Sequence, residues 1–273
     1  MTATILECQI IDIKKIVRKK IDVNIDHYAS SFLERRVQNR MNLIGIKSCA
    51  EYISFLDEDF LESFELNSTL SINVTQFFRN QTVWDVFKQK IIPEIISLSP
   101  SDQPISIWSA GCAIGNEPYS LAMMFSDMLQ KNEKKFKIVA NDINPTSIGI
   151  AKTGQYEFEK LKNIPNSFLS KFLEKIDDDL YKFSDDLKKT INFQVGDVAS
   201  FHINHVDVIL CRNMLIYYAD DAKELLFKKF HKTLNDGGFL VLGMAEDVPI
   251  SMKKFFKTVD LGMKIYQKVS PDP

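Results

Sequence analysis

The stretch Ile107–Ala122, which reads Ile-Trp-Ser-Ala-Gly-Cys-Ala-Ile-Gly-Asn-Glu-Pro-Tyr-Ser-Leu-Ala, restricts the fold more than any other part of the chain. An apolar run is followed by a turn with two glycines and then by the first turns of a helix. Gly111 and Gly115 let backbone approach a ligand where a Cβ would collide, and both can adopt φ > 0 without strain. Pro118 beside Glu117 is compatible with a helix's first turn. A strand–glycine turn–helix unit is the nucleotide-binding element of doubly wound α/β folds. The spacing is not G-x-G-x-x-G, and a carboxylate stands beside the turn, so a polyphosphate cradle is disfavoured. A ligand with hydroxyls and a positive centre suits the turn better. S-adenosylmethionine, with ribose hydroxyls, an ammonium and a sulfonium, has that chemistry.

The rest of the chain supports this reading. After the polar, proline-bearing segment Ser97–Pro104, apolar runs and helical patterns alternate. Strands are expected at Ile105–Trp108, Phe136–Ala140, Val206–Cys211 and Phe239–Gly243. Helices are expected at Glu117–Leu129, Pro145–Thr153 and Ala222–Leu234, with a turn at Asn235–Gly238. That alternation implies a mostly parallel sheet with right-handed crossovers. Between Tyr156 and Asp197 the rhythm breaks, and Leu180–Phe183 and Ile191–Val195 suggest a small inserted piece with antiparallel strands. The first ninety residues carry helical periodicity instead (Ile10, Ile13, Ile16 and Val17; Phe32, Leu33, Val37 and Met41; Tyr52, Ile53 and Leu56). They read as four or five short helices, with Gly45 at a turn and Ser48 as an N-cap ahead of Glu51. The domain reading is therefore a helical domain over 1–90 and an α/β domain over 91–273, with the insertion at 157–195.

Composition excludes several function classes. A net charge of −2 gives no global field for nucleic acid or membrane. The four cysteines have no C-x-x-C spacing, which disfavours zinc and disulfide frameworks. Lys14, Lys15, Arg18, Lys19 and Lys20 follow the first apolar residues rather than precede them, unlike a secretory signal. No apolar run reaches the roughly 20 residues of a membrane helix. A cytoplasmic protein without membrane insertion is expected. His202 and His205 lack further ligands around them and read as loop residues, so no metal is expected.

Ligands of parallel sheets bind at the carboxyl ends of the strands. Asp142 falls at one such end, where an acidic residue accepts from ribose hydroxyls. Asp197 falls at another, as an acceptor for an adenine amine, and Asn213 beside Arg212 falls at a third. Ahead of the α/β part, Asn73-Val74-Thr75-Gln76-Phe77-Phe78-Arg79 combines amide, hydroxyl and guanidinium with two aromatics. Taken alone, Thr75 could simply cap the helix that carries Trp84 and Phe87.

These motifs together resemble chemotaxis receptor methyltransferases of the CheR type. Asn73–Arg79 is similar to that family's N-x-T-x-F-F-R. Trp108–Ala122 resembles W-S-A-G-C-S-T-G-E-E-P-Y-S-L-A, and Ala140–Ile143 with Ala151, Gly154 and Tyr156 resembles A-T-D-I…A-x-x-G-x-Y. Cys211–Tyr218 resembles C-R-N-V-L-I-Y-F. Leu234, Gly237, Gly238, Leu240, Gly243 and Glu246 follow L-x-P-G-G-x-L-x-x-G-x-x-E. Tyr28, Arg35, Arg36 and Met41 match the helical domain more loosely. The likeness runs from about residue 20 to 268, in the family's order.

The resemblance implies a Rossmann-like methyltransferase sheet with an all-helical N-terminal domain and a small antiparallel insertion. It implies transfer of methyl from S-adenosylmethionine to receptor glutamates, leaving S-adenosylhomocysteine. Asn73, Thr75 and Arg79 are implied at the cofactor, with the helical domain closing over the sheet. Arg79 has the catalytic, electrostatic role. Glu117 is expected at the ammonium, Asp142 at the ribose, Asp197 with Val198 at the adenine, and Gly111, Asn213 and Met214 along the wall. The implied partner is the cytoplasmic helical region of a chemoreceptor. Lys14, Lys15, Arg18, Lys19, Lys20, Arg35, Arg36 and Arg40 are either a solvated face or a dock for its acidic helices. Tyr119 and Tyr217 are candidates either for substrate contact or for packing. Three positions depart from the family: Asn116 for a glutamate, Asn141 for a threonine, and Asp197 for an asparagine. The last keeps an acceptor for adenine but loses an amide donor. Two other readings stay open at this point: a methyltransferase for another signalling protein, and a cofactor-binding scaffold without turnover.

Overall fold

The structure, a computed structural model, describes residues 7–70, 75–100, 102–130 and 134–269. The chain divides into two compact units, Met1–Ile72 with Ile216–Leu225, and Asn73–Leu215 with Leu226–Pro273. Residues 73–90 thus count with the second unit, and a short return segment counts with the first.

The N-terminal part of the first unit shows, among the described residues, α1 (Glu7–Ile21), α2 (Ser30–Ile44), α3 (Cys49–Glu58) and α4 (Phe60–Leu70). Their buried residues recur at helical spacing: Ile10, Ile13 and Val17 on α1, Phe32, Leu33, Val37 and Met41 on α2, and Cys49, Tyr52 and Leu56 on α3. Gly45 ends α2 in the left-handed conformation, and its amide donates to the Met41 carbonyl. Ser48 occupies the N-cap of α3, but its side chain makes no capping bond. A polar cluster lies within this apolar unit. Arg40 donates to both Glu62 carboxylate oxygens at 2.8 and 2.7 Å, and the Tyr52 hydroxyl donates to Glu62 at 2.8 Å. Arg40 therefore leaves the basic face on which the sequence placed it, because it balances a buried carboxylate. Tyr217, on the return segment, packs its ring against Phe32, with centroids 4.8 Å apart.

The second unit opens with α5 (Gln81–Val86), which continues through a π turn at Phe87–Ile91 into α6 (Ile92–Leu98). This helix starts six residues after Thr75, so Thr75 is not its cap. Then follow β1 (Ile105–Ala110), α7 (Asn116–Leu129), β2 (Phe136–Asp142) and α8 (Pro145–Thr153). Next come β3 (Gln155–Glu157), α9 (Phe158–Leu161), α10 (Asn166–Phe172), β4 (Leu173–Lys175), β5 (Leu180–Phe183) and α11 (Asp185–Lys188). The remaining elements are β6 (Ile191–Val195), β7 (Val206–Cys211), α12 (Asp220–Thr233), β8 (Leu234–Leu242), β9 (Phe256–Asp260) and β10 (Ile265–Lys268).

Seven strands form one sheet in the order β6-β2-β1-β7-β8-β10-β9, while β3, β5 and β4 form a separate antiparallel sheet. The five strands from β6 to β8 run parallel, and β10 runs antiparallel to both of its neighbours. Ile191–Val195 is therefore not part of the inserted sheet. It pairs parallel to β2 and ends the main sheet. Its pattern misled because an edge strand buries only alternate residues, here Ile191 and Phe193. The expected turn at Asn235–Gly238 lies within β8. Val206 pairs with Leu234 and Val208 with Phe239, so four residues bulge out opposite Asp207 alone.

The sheet core explains the apolar runs. All six residues of β1 are buried, and Trp108, Phe125, Phe230 and Phe239 are among the largest fully enclosed side chains. Strand order reverses direction between β1 and β7, which makes a crevice at their carboxyl ends.

Candidate functional site

From the end of β1 the chain curls through three residues at positive φ, Gly111 at 76°, Ala113 at 48° and Gly115 at 96°. The Gly115 amide donates to the Cys112 carbonyl at 3.0 Å, and the preceding amides are tied down by the end of β2. Gly111 and Cys112 donate to the Asn141 carbonyl at 2.9 and 3.0 Å, and Ala113 donates to Asp142 Oδ2 at 2.8 Å. A Cβ at Gly111 would come within 2.9 Å of Met214 Sδ, so the glycine keeps the space beside Met214 open.

Two carboxylates are hydrogen-bonded around this turn. Asp142 is buried at the end of β2, and its Oδ1 accepts from the Asn144 amide at 2.9 Å. Burial raises its pKa, against the pull of these amides. Glu117, in the first turn of α7, accepts from the Ser109 hydroxyl at 2.8 Å. Burial raises its pKa as well, and Arg212 and Ser109 only partly offset that.

Arg212 follows β7 and links the two sides of the crevice. One terminal nitrogen lies 3.6 Å from Glu117 Oε2. The other donates to the Arg79 carbonyl at 2.9 Å and to Asn80 Oδ1 at 3.1 Å. Its guanidinium lies over the Trp84 ring, 5.5 Å from the centroid, and Trp84 Nε1 also donates to the Arg79 carbonyl. The turn at Phe77–Asn80 is further held by the Phe78 amide, which donates to Ser120 of α7 at 3.0 Å. Arg79 is half-buried on this turn.

Asn213, at φ 60°, is fixed by a residue that sequence reasoning placed only within a pattern. Glu246 accepts from the amides of Asn213, Leu215 and Gly243 at 3.0, 2.7 and 2.6 Å. A Cβ at Gly243 would fall 2.6 Å from the Asn213 nitrogen, so only glycine permits this approach. The Gly…Glu spacing was the available signal, but two of the three amides it serves lie on a loop some thirty residues away.

The loop after β6 carries Asp197 and Val198. The Gly196 amide donates to the Asp142 carbonyl at 2.9 Å, which joins this loop to the same site. Asp197 is half-buried and accepts from the Ala199 amide at 3.0 Å, and Val198 is buried. Gly111, Glu117, Asp142, Asp197, Val198, Asn213 and Met214 thus fall along the carboxyl edge of four neighbouring parallel strands, and Arg79 reaches it through Arg212. Thr75 is half-buried and takes no part in these bonds, and Asn73 lies outside the described residues. Tyr119 is a packing residue. It stacks on Phe183 at 4.2 Å and donates its hydroxyl to the Ala151 carbonyl. Among the described residues, no group of three His, Cys, Asp or Glu could hold a metal ion, and no helix is long and apolar enough to cross a membrane.

Comparison with known proteins gives consistent matches. The model of the CheR methyltransferase SAM-binding domain matches residues 73–265, and that of the CheR methyltransferase all-alpha domain matches residues 9–67. A chemotaxis protein methyltransferase of Borreliella burgdorferi is 31% identical over 243 residues, covering 86% of each chain. One from Listeria innocua is 30% identical over 236 residues, covering 86% of this chain and 88% of that protein. Chemotaxis protein methyltransferase 2 of Vibrio cholerae is 28% identical over 239 residues, covering 84% and 82%.

Proposed function

Because the chain belongs to the CheR methyltransferase family, we propose that it methylates glutamate side chains on the cytoplasmic helices of chemoreceptors, giving glutamyl methyl esters and S-adenosylhomocysteine for adaptation in bacterial chemotaxis. The observation that carries this reading is the pair of carboxylates, half-buried Glu117 and buried Asp142, hydrogen-bonded around one glycine turn at the strand-order reversal.

The cofactor is S-adenosylmethionine, and the residues present fit it. Burial raises the pKa of Glu117 even with Arg212 beside it, so a further cation, the cofactor's ammonium, would stabilise the ionised form. Asp142 would accept from the ribose hydroxyls, and Asp197 with Val198 would receive the adenine. Gly111, Asn213 and Met214 would line the wall, and Thr75 and Arg79 would complete the enclosure. When bound, the cofactor supplies an electrophilic methyl carbon whose sulfur leaves as a neutral thioether.

The protein's own task is to hold and to dehydrate. A substrate glutamate is already ionised at neutral pH, so no base removes a proton. A neutral leaving group needs no acid. What remains is alignment of the attacking oxygen and exclusion of water. Arg79 stays charged, and its role is electrostatic, on a cofactor or substrate carboxylate. Lys14, Lys15, Arg18, Lys19, Lys20, Arg35 and Arg36 supply positive charge that would speed encounter with acidic receptor helices and lose that effect in salt.

The test is transfer of labelled methyl from S-adenosylmethionine to a receptor cytoplasmic fragment, followed by brief alkali. Label released as methanol supports a carboxyl ester. Cofactor binding without labelling would overturn the receptor-glutamate assignment and favour another protein substrate or a scaffold.

A further inference from the structure

The loop after β6 is held by one side chain from α12. Lys229 Nζ donates to three carbonyls of that loop, Val198 at 2.6 Å, Ala199 at 3.0 Å and Phe201 at 2.6 Å. An ammonium has three N–H donors, and this loop takes all of them. The same ammonium lies over the Trp108 ring, 5.4 Å from its centroid. Trp108 is a common anchor for the loop. Phe201 stacks on it at 6.0 Å, and its Nε1 donates to Asn141 Oδ1 at 2.7 Å. Asn141 Nδ2 in turn donates to the Gly196 carbonyl at 2.8 Å. Asn141 thus fixes the loop where it leaves β6, and Lys229 gathers its far end.

Such convergence is not needed for the sheet. A turn on an edge strand can direct its carbonyls to water at no cost, whereas a half-buried lysine pays for desolvation and side-chain order. The expense is explained if the backbone around Asp197 and Val198 must be in place before a ligand arrives. Resting on the assignment of Asp197 and Val198 to adenine, we propose that Lys229 is a positioning residue for the cofactor, holding the 196–201 loop in its adenine-binding form. Lys229 bonds the loop's backbone, lies over the Trp108 ring and interacts with the charge of Asp197. Its effect falls on cofactor affinity and leaves methyl transfer from the filled site unchanged.

The experiment compares wild type with K229M, K229R and D197A in the full chain. S-adenosylhomocysteine binding, KM and kcat for S-adenosylmethionine, and hydrogen exchange at Ala199–Phe201 are measured for each. Loss of a charge-assisted clamp predicts that K229M raises the S-adenosylhomocysteine Kd and the KM about tenfold. In the same variant kcat stays within about twofold, the signature of lost binding rather than lost chemistry. Exchange at Ala199–Phe201 quickens in K229M, and K229R restores most of the affinity. Should K229M fail to fold, K229Q, a neutral donor on a shorter stem, carries the same comparison. Weakened binding in D197A with unchanged binding in the Lys229 variants would overturn the clamp alone. Unchanged binding in D197A would overturn the adenine assignment and the clamp's purpose together.

Discussion

The Arg212 guanidinium stands 3.6 Å from the Glu117 carboxylate, and burial shifts both groups toward neutrality. Removing one member of such a pair leaves the other charge without compensation. R212M is therefore expected to destabilise the protein by about 3 kcal/mol, and the double variant E117Q/R212M to recover much of that loss. Urea unfolding of the four proteins measures the coupling, and equal losses in the single and double variants would refute it.

Glu117 also sets a pH dependence. Its raised pKa means that the folded protein takes up a proton at higher pH than the unfolded chain does. On this account the free protein gains stability from Glu117 as pH falls, and that gain is lost as pH rises through the folded pKa. With Glu117 at the cofactor's ammonium, as proposed, cofactor binding should move in the opposite direction, because an ammonium needs the ionised form. The affinity for S-adenosylhomocysteine should decline on acidification at higher pH than an ordinary glutamate would cause. Calorimetric titration across the acid range checks this, with E117Q expected to flatten the profile.

Arg79 presents its carbonyl to Arg212 and Trp84, which leaves the backbone turn intact when the side chain is shortened. R79A should reduce methyl transfer by at least about tenfold through loss of an electrostatic contact. Near wild-type activity in the labelled-methyl assay would remove Arg79 from the catalytic role.

Gly243 tests the loop that bears Asn213 and Met214. A methyl group there meets the Asn213 nitrogen and Glu246 Oε2 at 2.6 and 2.7 Å, both held by the same network. Overpacking of this kind costs about 1–3 kcal/mol. G243A is expected to weaken S-adenosylhomocysteine binding by displacing Asn213. Unchanged affinity would show that Asn213 and Met214 do not line the cofactor wall.

In the helical unit, the Glu62 carboxylate takes two bonds from Arg40 and one from Tyr52. E62A leaves a guanidinium and a phenol without their acceptor and should cost about 3–5 kcal/mol. Denaturant unfolding measures this, and a loss below about 1 kcal/mol, the range of exposed pairs, would contradict it.

Local pattern carried the central strands, the glycine turn and the acidic strand ends, because a strand buried on both faces reads as an unbroken apolar run. Edge strand β6 was harder to assign, since half its side chains face outward. The bulge in β8 was unreadable because opposing four residues to Asp207 depends on a partner strand far away in sequence. The same limit hid the work of Arg212, Lys229 and Glu246. Their residue types were visible, but, the Gly243 amide apart, the carbonyls and amides they hold are contributed by chain 28 to 133 residues distant. Arg40 looked like surface charge for the same reason, its partner Glu62 lying one helix further along than its own neighbours.

Glu246 has a consequence for selectivity. Three amides gathered around one carboxylate, two on Oε2 and one on Oε1, form a concave anion trap, the device by which many folds capture phosphate. Here the chain fills the trap with a carboxylate of its own. By occupying its own anion site, the chain leaves none of these three donors to an incoming phosphate.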